Sequence, residues 1–324
     1  MARPWLLGIE IGGTKLQVGL GRGDGTIAQL RKVAVEPARG ASGILEQVRR
    51  EADHVAWLAE TTRDQVVSVG IGFGGPVDAE AGVALTSFQV PGWDDFPLAD
   101  WVRRELGVEH VAIQNDADTA GLGEDRFGAG VGRSPLVYVT IGSGIGGGLV
   151  LDGRIYRGSG RGAMEIGHLP VIVADLDGDE RRAELEQVAS GWSIAAAGRR
   201  ALETTGLAST LADLCDGDPA QVTAEVVAFA AGLGDKASRH ILDAAVAAMA
   251  QALAATVTLL APQRIILGGG VSQIGDDLWF APIRRALDPL VLPPFRGTFD
   301  LVPARLGQDV VVHGALALAR DLIA

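Results

Sequence analysis

Two short stretches carry residues that could do chemistry on a hydroxyl group. In "HVAIQNDAD" (His110 to Asp118) an apolar run ends in Asn115-Asp116. A carboxylate placed there can accept a proton from a substrate hydroxyl while the neighbouring amide holds the substrate. The same two residue types are preferred helix caps, so the pair also reads simply as a strand feeding a helix. In "MEIGH", Glu165 and His168 flank an Ile-Gly step, and "ELEQVASG" adds Glu186. Carboxylates and an imidazole suit the adjacent hydroxyls of a sugar ring, because each carboxylate accepts two hydroxyl protons. The plainer alternative is a surface turn with a satisfied histidine.

Glycine-rich turns accompany these groups. "IEIGGTKLQVGLGRGDGTI" (Ile9 to Ile27) and "VTIGSGIGGGLVLDGRI" (Val139 to Ile155) align with Ile11-Gly12-Gly13-Thr14 over Ile141-Gly142-Ser143-Gly144. One such turn is an ordinary tight hairpin. Two in register look like paired phosphate clamps, since glycine lets backbone N–H groups approach phosphate oxygens closely. Gly142-x-Gly144-x-x-Gly147 also fits the dinucleotide fingerprint, but "GLVLDGRIY" follows it and alternates like a strand. That fingerprint needs a helix N-terminus after the glycines, so the hydride-transfer reading is set aside; there is no P-loop motif either. Gly268-Gly269-Gly270, after "RIIL", either ends a strand or lets the backbone lie flat under an adenine or ribose.

The elements that must position these groups follow from periodicity and turn signals. Residues 5–11 read as a strand, and "LQVGLG" and "TIAQLRKVAV" extend it into an antiparallel meander around Gly23 to Gly25. A helix follows from about Gly43 to Thr61, then the apolar run "VVSVGIGFGGPVD", then a helix in "PLADWVRREL". The second half restarts the pattern: "LVYVTIGSG" is a strand and "GGGLVLDGRIYRG" a hairpin turning at Asp152-Gly153. Helices are expected near Gly191–Glu203, Thr223–Leu233 and Lys236–Ala261, then the strand "PQRIILGGG" and a closing helix "HGALALARDLIA". A repeat this long is a domain duplication and not a solenoid. The 324 residues predict two α/β lobes.

Composition narrows the function classes. A net charge of -12 argues against a nucleic-acid partner but leaves anionic nucleotides open, because local N–H groups can hold them. Cys215 is the single cysteine, which removes a disulfide framework and a cysteine-rich zinc site and fits a reducing cytoplasm. No secretory leader is expected in "MARPWLLGIEIGG", where Glu10 interrupts a short apolar run. "ILDAAVAAMAQALAATVTLLA" (Ile241 to Ala261) is alanine-rich and carries Asp243 and Gln251, so it reads as a buried helix and no membrane partner is expected.

"GIEIGGTKL", "GIGFGGPVD", "VPGWDDFPL", "NDADTAGLGE", "FGAGVG", "VTIGSGIGGGLVLDGRIYRG", "MEIGHLPV", "LEQVASG" and "RIILGGGV" together resemble, in this order and over nearly the whole chain, the ROK (repressor, open reading frame, kinase) proteins. The resemblance implies an α/β, two-lobed actin-like ATPase (ribonuclease H-like) fold with the active site in the interlobe cleft. The expected lobes are residues 1–118 plus 306–324 (small) and 119–305 (large). It implies an ATP:hexose phosphotransferase acting on the primary hydroxyl, glucokinase-like, with ATP and Mg²⁺ as cofactors and a homodimeric state. Asp116 would be the catalytic base. Gly75, Asn115, Glu165, His168 and Glu186 would hold the sugar. Gly12, Gly13, Thr14 and Lys15 would form the first phosphate turn, Thr140, Gly142, Ser143 and Gly144 the second, and Gly268, Gly269 and Gly270 would approach the adenosine. Kinases for N-acetylhexosamine, mannose or fructose, use of polyphosphate as donor, and a degenerate protein that binds sugar without phosphorylating it remain open.

The chain departs from the family pattern in several places. No winged-helix module is expected before the first phosphate motif. The family's Cys-x-Cys-Gly-x-x-Gly-Cys zinc loop is replaced by "VIVADLDGDERRAE", so no zinc is predicted and His168 must be fixed by another group, such as a carboxylate. Glu10 stands where Asp is usual; it is longer by one C–C bond, about 1.5 Å, and would reach magnesium through water. Gln89 and Asp118 each stand where Asn is common.

Overall fold

A computed structural model of the chain describes residues 4–160, 162–174, 180–205 and 209–324. Residues 1–3 of the N-terminal stretch and residues 175–179 of the segment replacing the cysteine loop lie outside the described residues. In chain order the elements are β1 (Trp5–Ile11), β2 (Lys15–Gly21), β3 (Ile27–Ala34), α1 (Gly40–Leu58), β4 (Val66–Phe73), β5 (Val77–Asp78), β6 (Val83–Ala84), α2 (Leu98–Leu106), β7 (His110–Asn115) and α3 (Asp116–Phe127). Then come β8 (Leu136–Ile141), β9 (Ile145–Leu151), β10 (Arg154–Ile155), β11 (Pro170–Ala174), β12 (Glu180–Glu184), α4 (Glu186–Ala189), α5 (Gly191–Thr205) and α6 (Thr210–Leu214). The chain ends with α7 (Ala224–Gly232), α8 (Lys236–Leu260), β13 (Arg264–Gly268), α9 (Ala281–Leu287), β14 (Asp300–Pro303) and α10 (Val310–Asp321).

The duplication seen in the glycine turns is a duplication of a whole sheet. One five-stranded sheet has the order β3-β2-β1-β4-β7, the other β10-β9-β8-β13-β14. In each, three consecutive strands form a meander and the next two stack beyond the first. β1 runs antiparallel to β2 and parallel to β4, and β13 runs parallel to β14. The chain divides into two compact units, Met1–Tyr138 with Gly148–Met164 and Ala304–Ala324, and Val139–Gly147 with Glu165–Pro303.

In the first unit β1 is buried on both faces, which explains why "WLLGIEI" reads as a nearly continuous apolar run. Successive residues of a strand point to opposite faces. Leu7, Ile9 and Ile11 share a core with Ile44, Val48, Ala52 and Val55 of α1, while Leu6 joins Val312, Leu316 and Ala319 of α10. Helices therefore cover both faces of the first sheet. The α1 spacing is the helical period expected of a buried stripe, and the helix starts and stops three residues earlier than its apolar pattern suggests.

In the second unit α8 is the one described helix long and apolar enough to cross a membrane. Its apolar length is accounted for by packing: Ala245, Ala248, Met249, Ala252 and Leu253 are buried, and the helix lies against α4, α5, α7 and α9. Asp235 caps it by accepting from Ser238 N at 2.8 Å. The hairpin β11–β12 was not legible as strands. Only Val171, Val173 and Ala183 face inward, and β12 is the charged sequence "ERRAE", which carries no apolar period.

Glu124, fully buried on α3, ties the first unit together. Its Oε1 accepts from Arg305 N and Leu306 N, each at 2.8 Å, and its Oε2 accepts from Ala129 N at 2.6 Å. One side chain thus satisfies both the end of α3 and the approach to α10. Glu124→Ala leaves these amides without an acceptor, at about 1–3 kcal/mol for each one water cannot reach, so urea unfolding is expected to register a loss of about 3 kcal/mol. A loss below about 1 kcal/mol, the net worth of a single ordinary hydrogen bond, would contradict this account of the clamp.

Candidate active site

The first glycine turn joins β1 to β2 through Gly12, Gly13 and Thr14, with Gly12 N donating to Lys15 O at 3.0 Å. Beside it, β7 ends and α3 begins. Asn115 is the cap: its Oδ1 accepts from Ala117 N at 2.8 Å and Asp118 N at 3.4 Å, and its Nδ2 donates to Gly75 O at 3.1 Å. The structural reading of Asn115 is therefore realised, and its second amide N–H is the group left to address a ligand. The cap forces the chain to turn at Asp116, which is half-buried. Gly74 lies between this carboxylate and the glycine turn. A Cβ at Gly74 would stand 3.5 Å from Asp116 Oδ2, 3.4 Å from Gly12 Cα and 3.2 Å from Ile11 O. Asp116, Asn115, Gly75 and the first glycine turn are thus brought together within one unit.

Glu10 lies behind this turn and is buried. Its Oε1 meets Lys15 Nζ at 3.1 Å, its Oε2 accepts from Gln17 Nε2, and Gln17 also donates to Gln308 O at 2.8 Å. Burial pushes the Glu10 carboxyl up from its ordinary value; Lys15 and Gln17 oppose this, and Asp309 adds to it. Among the described residues no group of three or more His, Cys, Asp or Glu could hold a metal ion. A magnesium ion typically keeps several waters and is held by one or two carboxylates plus substrate phosphates. Glu10, whose oxygens are already engaged by Lys15 and Gln17, would meet such an ion through water, as an ion that arrives with its nucleotide.

In the second unit the turn Gly142-Ser143-Gly144 joins β8, which carries Thr140 near its end, to β9. It has the same length as the first but closes differently, with Gly142 N donating to Gly144 O at 2.9 Å. Gly269, with φ 83°, lies against the Ile141 peptide: a Cβ there would stand 2.4 Å from Ile141 O. The 268–270 segment therefore borders the second glycine turn. Glu186 opens α4, and its Oε2 accepts from Ile145 N at 2.7 Å.

Glu165 and His168 bracket a single 3₁₀ turn, Ile166–His168, with His168 N donating to Glu165 O at 3.1 Å. Ile166 and Gly167 are buried while Glu165 and His168 are exposed, as residues three apart in a 3₁₀ turn share a face. His168 Nδ1 lies 3.1 Å from Glu184 Oε2, at the end of β12. The carboxylate only accepts, so Nδ1 carries the proton and Nε2 is the atom left for a ligand. Glu184 is a carboxylate partner of the kind expected for His168. It was not among the site residues legible in the sequence, because the strand pairing of Pro170 with Glu184 brings it beside the histidine. The second unit thus gathers Thr140, Gly142, Ser143, Gly144, Gly268–Gly270, Glu165, His168 and Glu186.

The hydrogen bond to Glu184 raises the His168 pKa above its ordinary value, opposed by burial and helped by the charges of Glu184, Glu186 and Glu165. A raised histidine pKa contributes stability that is complete below the unfolded value, about 6.5, and is lost as pH rises through the folded value. Glu184→Gln is therefore expected to shift the His168 titration, followed by NMR of the ring protons, to lower pH. An unmoved midpoint would mean that Glu184 does not hold the ring.

The ROK family model matches residues 6–322. A glucokinase of Thermotoga maritima is 34% identical over 324 residues, 98% of each chain. A glucokinase of Halalkalibacterium halodurans is 30% identical over 320 residues, 97% of this chain and 94% of that one. Among solved structures, a ROK family glucokinase from Streptomyces griseus in complex with glucose and AMPPNP is similar with a TM-score of 0.81 at 32% identity, over 98% of this chain and 99% of that one. With its sheet built twice and a family match running almost from end to end, the chain belongs to the ROK family and has its two-lobed, actin-like ATPase fold.

Proposed function

We propose that this chain is a sugar kinase that transfers the γ-phosphoryl group of ATP to the primary hydroxyl of a hexose, with glucose as the preferred acceptor. The observation that carries the chemistry is Asp116 beside the first glycine turn, both within van der Waals reach of the position a Gly74 Cβ would take. A base and a phosphate clamp that border one point are what in-line transfer to a hydroxyl needs. The acceptor is argued from the hydrogen-bonding set Asn115, Glu165, His168 and Glu186, and from the glucokinases among the relatives.

In this reading the primary hydroxyl gives its proton to the Asp116 carboxylate as its oxygen bonds to the γ-phosphorus. The bond from that phosphorus to the β,γ-bridging oxygen breaks, and ADP leaves. The N–H groups of the Gly12–Lys15 and Gly142–Gly144 turns, with the Thr14 and Ser143 hydroxyls, address the phosphates. Gly75 and Asn115 orient the sugar on the Asp116 side, Glu165, His168 and Glu186 hold it in the second unit, and Gly268 to Gly270 border the adenosine. Magnesium, when bound with the nucleotide, neutralises phosphate charge, with Glu10 as the residue that would hold it through water. We place the enzyme in a reducing cytoplasm, without zinc and, on its family resemblance, as a homodimer.

The test is ADP release from Mg-ATP with glucose, mannose, fructose, N-acetylglucosamine and N-acetylmannosamine. Glucose is expected to give the highest kcat/KM. Asp116→Asn is expected to lower turnover about 10²–10⁴-fold while glucose still binds in calorimetry. Glucose binding with no ADP release in the unmodified protein would replace the kinase by a sugar-binding protein. Full turnover in Asp116→Asn would remove Asp116 as the base.

A further inference from the structure

The bond from Ile145 N to Glu186 joins two parts of the second unit that the reading above assigns to different substrates. Ile145 is the first residue after the second glycine turn, on the nucleotide side; Glu186 belongs to the sugar side. The contact is built into the local geometry. At Gly144, a Cβ would stand 2.4 Å from Glu186 Oε2 and 3.2 Å from its Cδ, so the carboxylate fills the space a side chain would take. On the carbonyl side of Ile145, a Cβ at Gly167 would stand 2.3 Å from Ile145 O, so the Glu165–His168 turn abuts the same peptide. The segment after Glu186 is tied back as well, with Gly191 N donating to Gly142 O at 2.8 Å and Ser193 Oγ donating to Glu186 O at 2.8 Å. The turn is therefore held at its start by Gly191 and at its end by Glu186.

We propose that Glu186, besides holding the sugar, is the positioning residue of the second glycine turn, and that sugar and nucleotide bind with positive synergy through the Glu186–Ile145 hydrogen bond. The inference rests on the sugar and nucleotide roles proposed above. A carboxylate has two oxygens and about four acceptor sites. With Oε2 on Ile145 N–H, Oε1 accepts from a hexose hydroxyl, and that bond narrows the rotamers of the carboxylate. A carboxylate held in place holds the turn, so the nucleotide meets amides already ordered. Linkage makes the effect reciprocal: whatever factor sugar contributes to nucleotide affinity, nucleotide contributes to sugar affinity.

The test is calorimetric binding of Mg-AMPPNP, with and without glucose, to the unmodified protein and to Glu186→Ala, Glu186→Gln and Gly144→Ala, each checked for folding by circular dichroism. Losing a hydrogen bond to a charged group predicts that Glu186→Ala weakens AMPPNP binding about tenfold even without sugar. Glu186→Gln, whose amide oxygen can still accept from Ile145 N–H, should restore most of that affinity. Gly144→Ala should weaken glucose binding measured without nucleotide, although Gly144 belongs to the nucleotide turn, because the new methyl displaces Oε2. The tightening of AMPPNP by glucose, expected at about fivefold or more, should fall towards one in Glu186→Ala and Gly144→Ala. A Glu186→Ala protein that binds AMPPNP as tightly as the unmodified one overturns the proposal and leaves Glu186 a sugar ligand only. A protein that binds no hexose would sink the sugar reading instead, and the sugar-free AMPPNP comparison would still decide whether Glu186 positions the turn. If AMPPNP binds none of the proteins, hydrogen exchange at the Ile145 amide decides: faster exchange in Glu186→Ala, slowed again in Glu186→Gln, supports the positioning role, and unchanged exchange overturns it.

Discussion

A backbone N–H at the end of a strand or helix must find an acceptor, and in this chain three side chains supply it at the places that matter most. Asn115 takes two amides of α3, Glu124 takes three from two segments far apart in sequence, and Glu186 takes the amide that follows the second glycine turn. The bonds to the Glu124 and Glu186 carboxylates are each worth about 1.5–3 kcal/mol, more than the neutral ones to the Asn115 amide. The larger consequence is geometric. The Asn115 cap decides where α3 starts and hence where Asp116 projects. Glu186 decides how β9 begins and hence how the turn before it is held.

The two sheets share one strand order, yet the halves have been put to different use. The first turn closes from Gly12 to Lys15 and stands in front of the buried Glu10–Lys15–Gln17 group. The second closes within itself and is braced by Gly191 and Glu186. A duplicated scaffold therefore offers two glycine turns of equal length with different supports. One support is an ion pair and the other a carboxylate that accepts from the amide following the turn.

A chain of net charge -12 has little long-range attraction for polyanions, so under the proposed function recognition of a nucleotide would fall to local N–H dipoles in the glycine turns, which carry no formal charge. Under the same proposal the carboxylates of Glu165 and Glu186 would supply acceptors for sugar hydroxyls. His168 has the charges of Glu165, Glu184 and Glu186 nearby, and the hydrogen bond to Glu184 both raises its pKa and commits Nδ1 to that carboxylate. The partner of the histidine ring is thus one carboxylate at the end of β12, brought to it by the antiparallel pairing of β11 with β12.

Much of this was legible along the chain, because glycine turns, strand runs, caps and helical periods are local patterns. The paired turns, the strand into Asn115-Asp116, the hairpin at Asp152-Gly153 and the buried alanine-rich helix are each written within a dozen or two residues. So was the family, since many short motifs occur in one order. The pairing of β11 with β12 was not, because "ERRAE" has no apolar period, and with it the Glu184–His168 contact was hidden. Nor could spacing assign Glu186 to Ile145, Glu124 to Arg305, or Gln17 to Glu10 and Gln308 together. The sequence by itself determined which residues share a turn, a cap or a strand, because those relations are set by short-range backbone geometry. Only the tertiary structure decided which buried donor each polar side chain meets, because that choice depends on which segments distant in sequence are packed within 3 Å of one another.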